Sequence, residues 1–162
     1  MMTSINDFQR VFFIGIAGTG MSAIAQYLQG IGKSVSGSDR YFQPGDDNDS
    51  RIKLEAEGIR CFMQDGSGIE PGIDLVVVST AVEETVPEVI KTRSLHIPII
   101  RRSELLAIIA TSKKTIAVGG TSGKSTTSAM LFDILQLAGL QPSIISGAGL
   151  VSIIRELAGT GI

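Results

Sequence analysis

The sequence predicts an α/β protein: a doubly wound domain on a parallel sheet, followed by the first strand, glycine loop and helix of a second α/β domain. Three features carry that expectation. Short apolar, β-branched runs alternate with stretches of helical period. Glycine clusters stand where a strand hands over to a helix. That plan occurs twice, in FIGIAGTGMS and in AVGGTSGKST. Alternation of this kind builds βαβ units whose strands pair in parallel under helices on both faces, a Rossmann-like arrangement.

The elements follow in order. Val11 to Ile16 is a short apolar run ending in glycines, the signature of a buried parallel strand. Met21, Ile24, Ala25 and Leu28 then fall at i, i+3, i+4 and i+7 before Gly30, which predicts a helix over 21–29. Lys33 to Ser36, ending at GSD, reads as the second strand, RIKLEAEG as a helix closed by Gly58, and IRCFM as the third strand. Asp74 to Val78, within DLVVVSTA, is the most β-branched run; residues 84–95 suit a helix, and IPII a fifth strand. Ser103 is placed to cap ELLAIIA, and TSKK ends the apolar pattern. The boundary is expected near residues 107–114, giving domains 1–110 and 111–162. Beyond it come a strand from Thr115 to Val118, the GGTSG loop, and a helix with Leu131, Ile134, Leu135 and Ala138 inward, stopped by Gly139; SIISGAG would be one more strand.

Composition narrows the classes. With 43% hydrophobic and 19% charged residues, the chain can bury a core and does not read as disordered. A net charge of −2 with no basic stripe argues against nucleic acid as a partner. Cys61, the single cysteine, excludes an intrachain disulfide, reads as core filling and fits a reducing compartment. MMTSINDFQR lacks the apolar core of a signal peptide, and no apolar run approaches the roughly 18 residues of a membrane span. The expected location is cytoplasmic, with no membrane partner.

The second loop has the more specific chemistry. A turn from a buried strand into a helix leaves backbone N–H groups unpaired, and the helix dipole adds roughly half a positive charge there, so phosphate is a natural ligand. Gly120 and Gly123 let the backbone curl around an anion, and Thr121, Ser122 and Thr126 complete the expected phosphate contacts. Lys124 is the candidate catalytic residue, reaching the β/γ-phosphates of ATP, and the Ser125 hydroxyl is the candidate Mg²⁺ ligand. The common pattern G-x-x-x-x-G-K-[ST] has glycine where this chain has Val118. A glycine turn with an incidental Lys-Ser is the competing reading, and the strand before and helix after weigh against it.

In the frame G-x-G-x-x-G, the first loop carries Gly15, Ala17 and Gly20, with Gly18 beside the alanine. Asp39 lies 19 residues after Gly20 at the end of a strand, where a carboxylate can accept from a ribose or a base. Such a partial match fits a structural turn as well as a nucleotide site, and the P-loop downstream tips the balance to the nucleotide. Ser79 and Thr80 stand at the carboxyl end of the strongest strand, the edge on which such sheets bind ligands. His96 has no second ligand for a metal and reads as an exposed turn, while Glu83, Glu84 and Glu88 start a helix, where carboxylates favour the dipole.

Taken together, VFFIGIAGTGMSAIAQYL, VSGSD, VVVSTAV, PEV, IPIIRRSELLA and IAVGGTSGKSTT resemble, in that order, the amino-terminal third of a Mur ligase. The likeness runs through nearly the whole chain, and the family's short G-T-x-G-K-[ST] loop accounts for Val118. The resemblance implies a first domain that binds a UDP-sugar through Gly15, Ala17, Gly18, Thr19, Gly20, Met21, Ser22, Asp39, Ser79 and Thr80. It also implies a central domain that binds ATP and Mg²⁺, and a third that receives an amino acid. The implied activity is a step of peptidoglycan precursor synthesis: an amino acid is joined to UDP-N-acetylmuramate through an acyl phosphate. The likeness is strongest to the L-alanine-adding members, which usually have His where this chain has Ser122 and Gly where it has Ala17. The remaining ligase domains are expected beyond residue 162, so the 162-residue chain is expected to be inactive alone. Two other readings stay open: a dehydrogenase using Gly15 to Gly20 and Asp39 for NAD, and a non-catalytic UDP-sugar-binding module.

Overall fold

Five strands form one all-parallel sheet in the computed structural model, which describes residues 2–45 and 47–146. They are β1 (Arg10–Ile14), β2 (Ser34–Asp39), β3 (Arg60–Met63), β4 (Leu75–Val78) and β5 (Ile99–Arg101), in the order β3-β2-β1-β4-β5. β1 lies in the middle, with Phe12 opposite Ser36 and Val76 and Ile14 opposite Ser38 and Val78. A central strand is covered on both faces, which is why Val11, Phe12, Phe13 and Ile14 are all buried and the run is continuously apolar.

α1 (Thr19–Gly30), α2 (Asp49–Ala56), α3 (Pro87–Ser94) and α4 (Arg102–Thr111) complete this part of the chain. α1 buries Met21, Ile24, Ala25 and Leu28, the four residues its periodicity singles out. Each of the larger three contributes about 1.5–3 kcal/mol by leaving water. The path runs from β1 to β2 and β3 on one side, then returns to β4 and β5 on the other. Right-handed crossovers therefore set α1 and α2 against one face of the sheet and α3 against the opposite one. On the α3 face Phe12, Ile14, Ile69, Ile73, Val76 and Val89 form one cluster.

Two carboxylates tie the layers together. Asp74 Oδ2 accepts from the N–H groups of Gln9 (2.8 Å) and Arg10 (2.7 Å) at the entry to β1, and the Arg10 and then the Gln9 N–H hold its carboxyl below the ordinary range. Glu88, in the first turn of α3, is fully buried and accepts from Gly66 N–H through Oε1 (3.1 Å), while Lys91 Nζ donates to the Gly66 carbonyl (2.9 Å). The loop after β3 is thereby pinned to α3, a long-range role beyond the dipole effect expected of Glu88.

Several expectations are corrected. The second strand runs to Asp39 because Ser36 to Asp39 find partners in β3. The third helix begins at Pro87, leaving Glu83 and Glu84 in the preceding turn, where Glu84 pairs with Arg93. Arg101, and not Ser103, is the N-cap of α4; Glu104 Oε2 accepts from the Arg101 N–H (2.6 Å) and takes the capping role, so Ser103 sits inside the first turn. Cys61 is half-buried, its thiol pushed up to about 12 by burial and secondarily by the charge of Glu55, so it is inert as a nucleophile. His96 is exposed in a turn as expected, with a positive φ of 55°.

By contact the chain divides into Met1–Thr115 and Ile116–Ile162. In the second unit α5 (Lys124–Leu137) follows Gly123, and none of its residues is buried. Thr115 to Val118 is not a strand: a strand requires a ladder, and these residues join none among the described residues. Ser143 to Ser146, the start of the expected SIISGAG strand, is not a strand either, and Gly147 onward lies outside the described residues.

Candidate functional site

The strand order reverses between β1 and β4, and the glycine loop leaves β1 at that point. Open α/β sheets form their ligand crevice here, outside the carboxyl ends of the strands. The loop is held by the neighbouring strand. Gly15 N–H and Ile16 N–H both donate to the Ser38 carbonyl (2.8 and 3.1 Å), which bends the chain off β1 with Gly15 at φ 82°, a conformation that disfavours any side chain. Ile16 then leans on β2, where a methyl on Gly37 would stand 2.7 Å from Ile16 Cδ1 and 2.6 Å from the Phe13 carbonyl. The glycine of VSGSD is therefore the space that Ile16 fills.

Asp39 is 4% exposed, and both of its oxygens are in use: Oδ2 accepts from Ala17 N–H (2.9 Å) and Oδ1 from Tyr41 N–H (3.1 Å). The structure sets this carboxylate behind the loop, holding Ala17, where the sequence expectation has it accepting from a ribose or a base. Gly18 caps α1, its carbonyl accepting from Met21 and Ser22 N–H (both 2.8 Å), and the Ser22 hydroxyl donates to the Thr19 carbonyl (3.1 Å). The N–H groups of Thr19 and Gly20 donate to nothing among the described residues. Met21 is 3% exposed, its side chain in the core and its N–H taken, so it offers a ligand neither.

Ser79 comes to the same place from β4. Its hydroxyl lies 4.0 Å from where a methyl on Gly15 would stand, and accepts from Ala81 N–H at 3.3 Å. Thr80 is exposed beside it. Sequence reasoning missed Arg102, at the start of α4: its side chain lies across Gly20, where a methyl would overlap Nη1 and come 3.1 Å from Cζ. The signal was available only as two arginines after a strand, in IPIIRRSELLA.

The second loop stands in its own unit. Gly120 and Gly123 have positive φ (146° and 75°), and Lys124 Nζ donates to the Gly120 (2.7 Å) and Thr121 (3.3 Å) carbonyls. Thr127 N–H donates to Gly123 O (2.9 Å), closing the first turn, while the N–H groups of Lys124, Ser125 and Thr126 donate to nothing among the described residues. Residues Thr121 to Thr126 are all exposed. No group of three or more His, Cys, Asp or Glu among the described residues could hold a metal. Ser125 offers one hydroxyl, which fits Mg²⁺ only as that ion is usually held, chiefly by phosphate oxygens and water.

A doubly wound parallel sheet with a glycine loop at its switch point, followed by a Gly-Lys-Ser loop opening a helix, defines an α/β protein with two glycine loops that each lead into a helix. This chain belongs to the Mur ligase family: the model of the Mur ligase family, catalytic domain, matches residues 10–114. It is 43% identical over 144 residues to the UDP-N-acetylmuramate–L-alanine ligase of Carboxydothermus hydrogenoformans, and 40% identical over 147 residues to that of Acidithiobacillus ferrooxidans. These alignments cover 88% and 91% of this chain but only 30% and 31% of the relatives, so the chain spans about a third of their length. Among solved structures it is similar to the UDP-N-acetylmuramate–alanine ligase of Thermotoga maritima, with a TM-score of 0.77 and 30% identity over 88% of this chain and 33% of that one. A UDP-N-acetylmuramate:L-alanyl-γ-D-glutamyl-meso-diaminopimelate ligase from Neisseria matches with a TM-score of 0.75 and 29% identity, covering 88% and 44% of the two chains.

Proposed function

We propose that this chain is the UDP-sugar-binding part of an ATP-dependent ligase of peptidoglycan precursor synthesis, together with the P-loop that opens its ATP site. The observation that carries this reading is the glycine loop at the sheet's switch point, with two unpaired N–H groups and Ser79 and Thr80 alongside, in a chain of the Mur ligase family. The UDP-sugar lies against Gly15, Ala17, Gly18, Thr19, Gly20 and Ser22, its diphosphate at the start of α1. Asp39 serves the site by setting Ala17. The names of the relatives support UDP-N-acetylmuramate as the sugar nucleotide and L-alanine as the amino acid. The cytoplasm, where ATP is supplied, is the proposed location; among the described residues no helix is long and apolar enough to cross a membrane.

In the whole enzyme a carboxylate oxygen of the sugar nucleotide attacks the γ-phosphorus of ATP and ADP leaves. The amine of the amino acid then attacks the acyl carbon, and phosphate leaves as the amide forms. Lys124 and the free N–H groups of Lys124 to Thr126 offset the charge spread over the transferred phosphoryl group. Ser125 would hold Mg²⁺ through its hydroxyl, and the ion would supply further neutralisation of phosphate charge. Domains 1–110 and 111–162 divide these tasks, the first holding the acceptor and the second the phosphate donor.

Calorimetric titration with UDP-N-acetylmuramate, UDP and NAD tests the reading. The 162-residue chain is expected to bind the first two and not NAD. Given ATP, Mg²⁺ and a panel of amino acids it is expected to yield no UDP-linked amide, because one loop and one helix provide a single wall of an ATP site. A preference for NAD overturns the assignment, and steady amide formation overturns the division of labour.

A further inference from the structure

We infer that Arg102 is the cationic clamp of the first site, laid against the first turn of α1 so that it holds the diphosphate of the sugar nucleotide together with the α1 N-terminus. The inference rests on the proposed UDP-sugar reading and adds to it a residue from a different element, 82 positions along the chain from Gly20.

The φ of Gly20 is not positive, so its backbone does not call for glycine, and within a helix glycine is a poor choice. What the missing side chain permits is the approach of Arg102: a methyl there would overlap Nη1 and stand 3.1 Å from Cζ and 3.7 Å from Cδ. A guanidinium is thus laid along the first turn of α1, the positive end of that helix dipole, beside the unpaired N–H groups of Thr19 and Gly20. Arg102 is itself exposed, so an incoming anion can reach its guanidinium and the free N–H groups of the first turn together.

Among the described residues no carboxylate pairs with Arg102; the ion pairs join Arg10 and Arg60 to Glu70, Arg51 to Glu55, and Arg93 to Glu84. The nearest acid in sequence, Glu104, is turned back to cap its own helix through the Arg101 N–H. A planar fork of five donors over a row of backbone N–H groups matches the oxygens of a diphosphate, which can accept from both sides at once, better than it matches a ribose or a base.

The test uses the full 162-residue chain and calorimetry with UDP and uridine. Arg102→Ala is expected to weaken UDP binding about 10- to 100-fold, the scale of losing charge-assisted hydrogen bonds, and to leave uridine binding unchanged. Arg102→Lys should recover part of the loss, and the effect should shrink at high salt. Gly20→Ala provides a second route, because the methyl displaces the guanidinium while the fold, followed by thermal melting, is kept. It should weaken UDP binding in the parent chain and have little further effect in an Arg102→Ala background, the non-additivity of two changes to one contact. Equal losses for UDP and uridine, or a Gly20→Ala effect undiminished without Arg102, would overturn the clamp while leaving the UDP site in place. Failure of the unmutated chain to bind UDP overturns the site itself, and the clamp with it.

Discussion

The two glycine loops share a local plan and differ in what surrounds them. The Gly15 to Gly20 loop is shaped from outside: the Ser38 carbonyl turns it, the Asp39 carboxylate holds Ala17, Ile16 fills the space of Gly37, and Ser79 stands beside Gly15. The Gly119 to Ser125 loop is held by its own atoms, Lys124 Nζ on the Gly120 and Thr121 carbonyls, ahead of a helix with no buried residue. A glycine loop can therefore be written locally in both places, yet only neighbouring strands give it a fixed geometry at the edge of a sheet. On the proposed reading the first loop is expected to bind without first being ordered, and the second to meet an ordering cost of roughly 1–2 kcal/mol for each residue fixed on binding.

Hydrogen exchange should sharpen this contrast most. Amides of β1 and β4, central in a covered sheet, are expected to exchange slower than those of Ile116 to Gly123 by a factor of about 10³ or more, since they open only with the domain. Comparable protection in the two segments would show that the second loop has a frame of its own.

Asp39→Ala comes next, with UDP affinity reduced by about 1–3 kcal/mol through loss of the carboxylate that sets Ala17. The loss should be the same for 2′,3′-dideoxyuridine diphosphate as for UDP if Asp39 acts on the loop. A penalty that vanishes with the dideoxy ligand would return the carboxylate to the ribose.

Gly15→Ala places a side chain at φ 82° and should lower stability of the first unit by about 1–2 kcal/mol. Gly123→Ala, with comparable local strain at φ 75°, should leave the main melting transition where it was. Equal shifts in that transition would mean that the two units unfold as one.

The smallest effect is on the acid side. Asp74 has its carboxyl pKa lowered in the folded chain by the Arg10 and Gln9 N–H groups, so its contribution is complete above the unfolded value of about 4 and fades as pH falls through the lower folded value. Asp74→Asn should cost about 1 kcal/mol or less at pH 7, reduced by its contact with water, and nothing at strongly acid pH. A mutant penalty constant from pH 7 to pH 2 would remove the charge from the explanation.

The parts legible in the sequence are those whose causes are local. The inward face of α1 follows from 3.6-residue spacing, β1 and β4 from continuous apolar runs, and both loops from glycine between a hydrophobic run and a helix. Partnership is different, because it depends on what the sheet brings alongside. The order β3-β2-β1-β4-β5 carries Asp39 behind Ala17, buries Glu88 against Gly66, and lays Arg102 on Gly20. Thr115 to Val118 has the composition of a strand and no ladder among the described residues. Periodicity is a property of one segment and can be read from it; a hydrogen bond, an ion's partner or a strand's neighbour is a property of two, and only the tertiary structure decided which two meet.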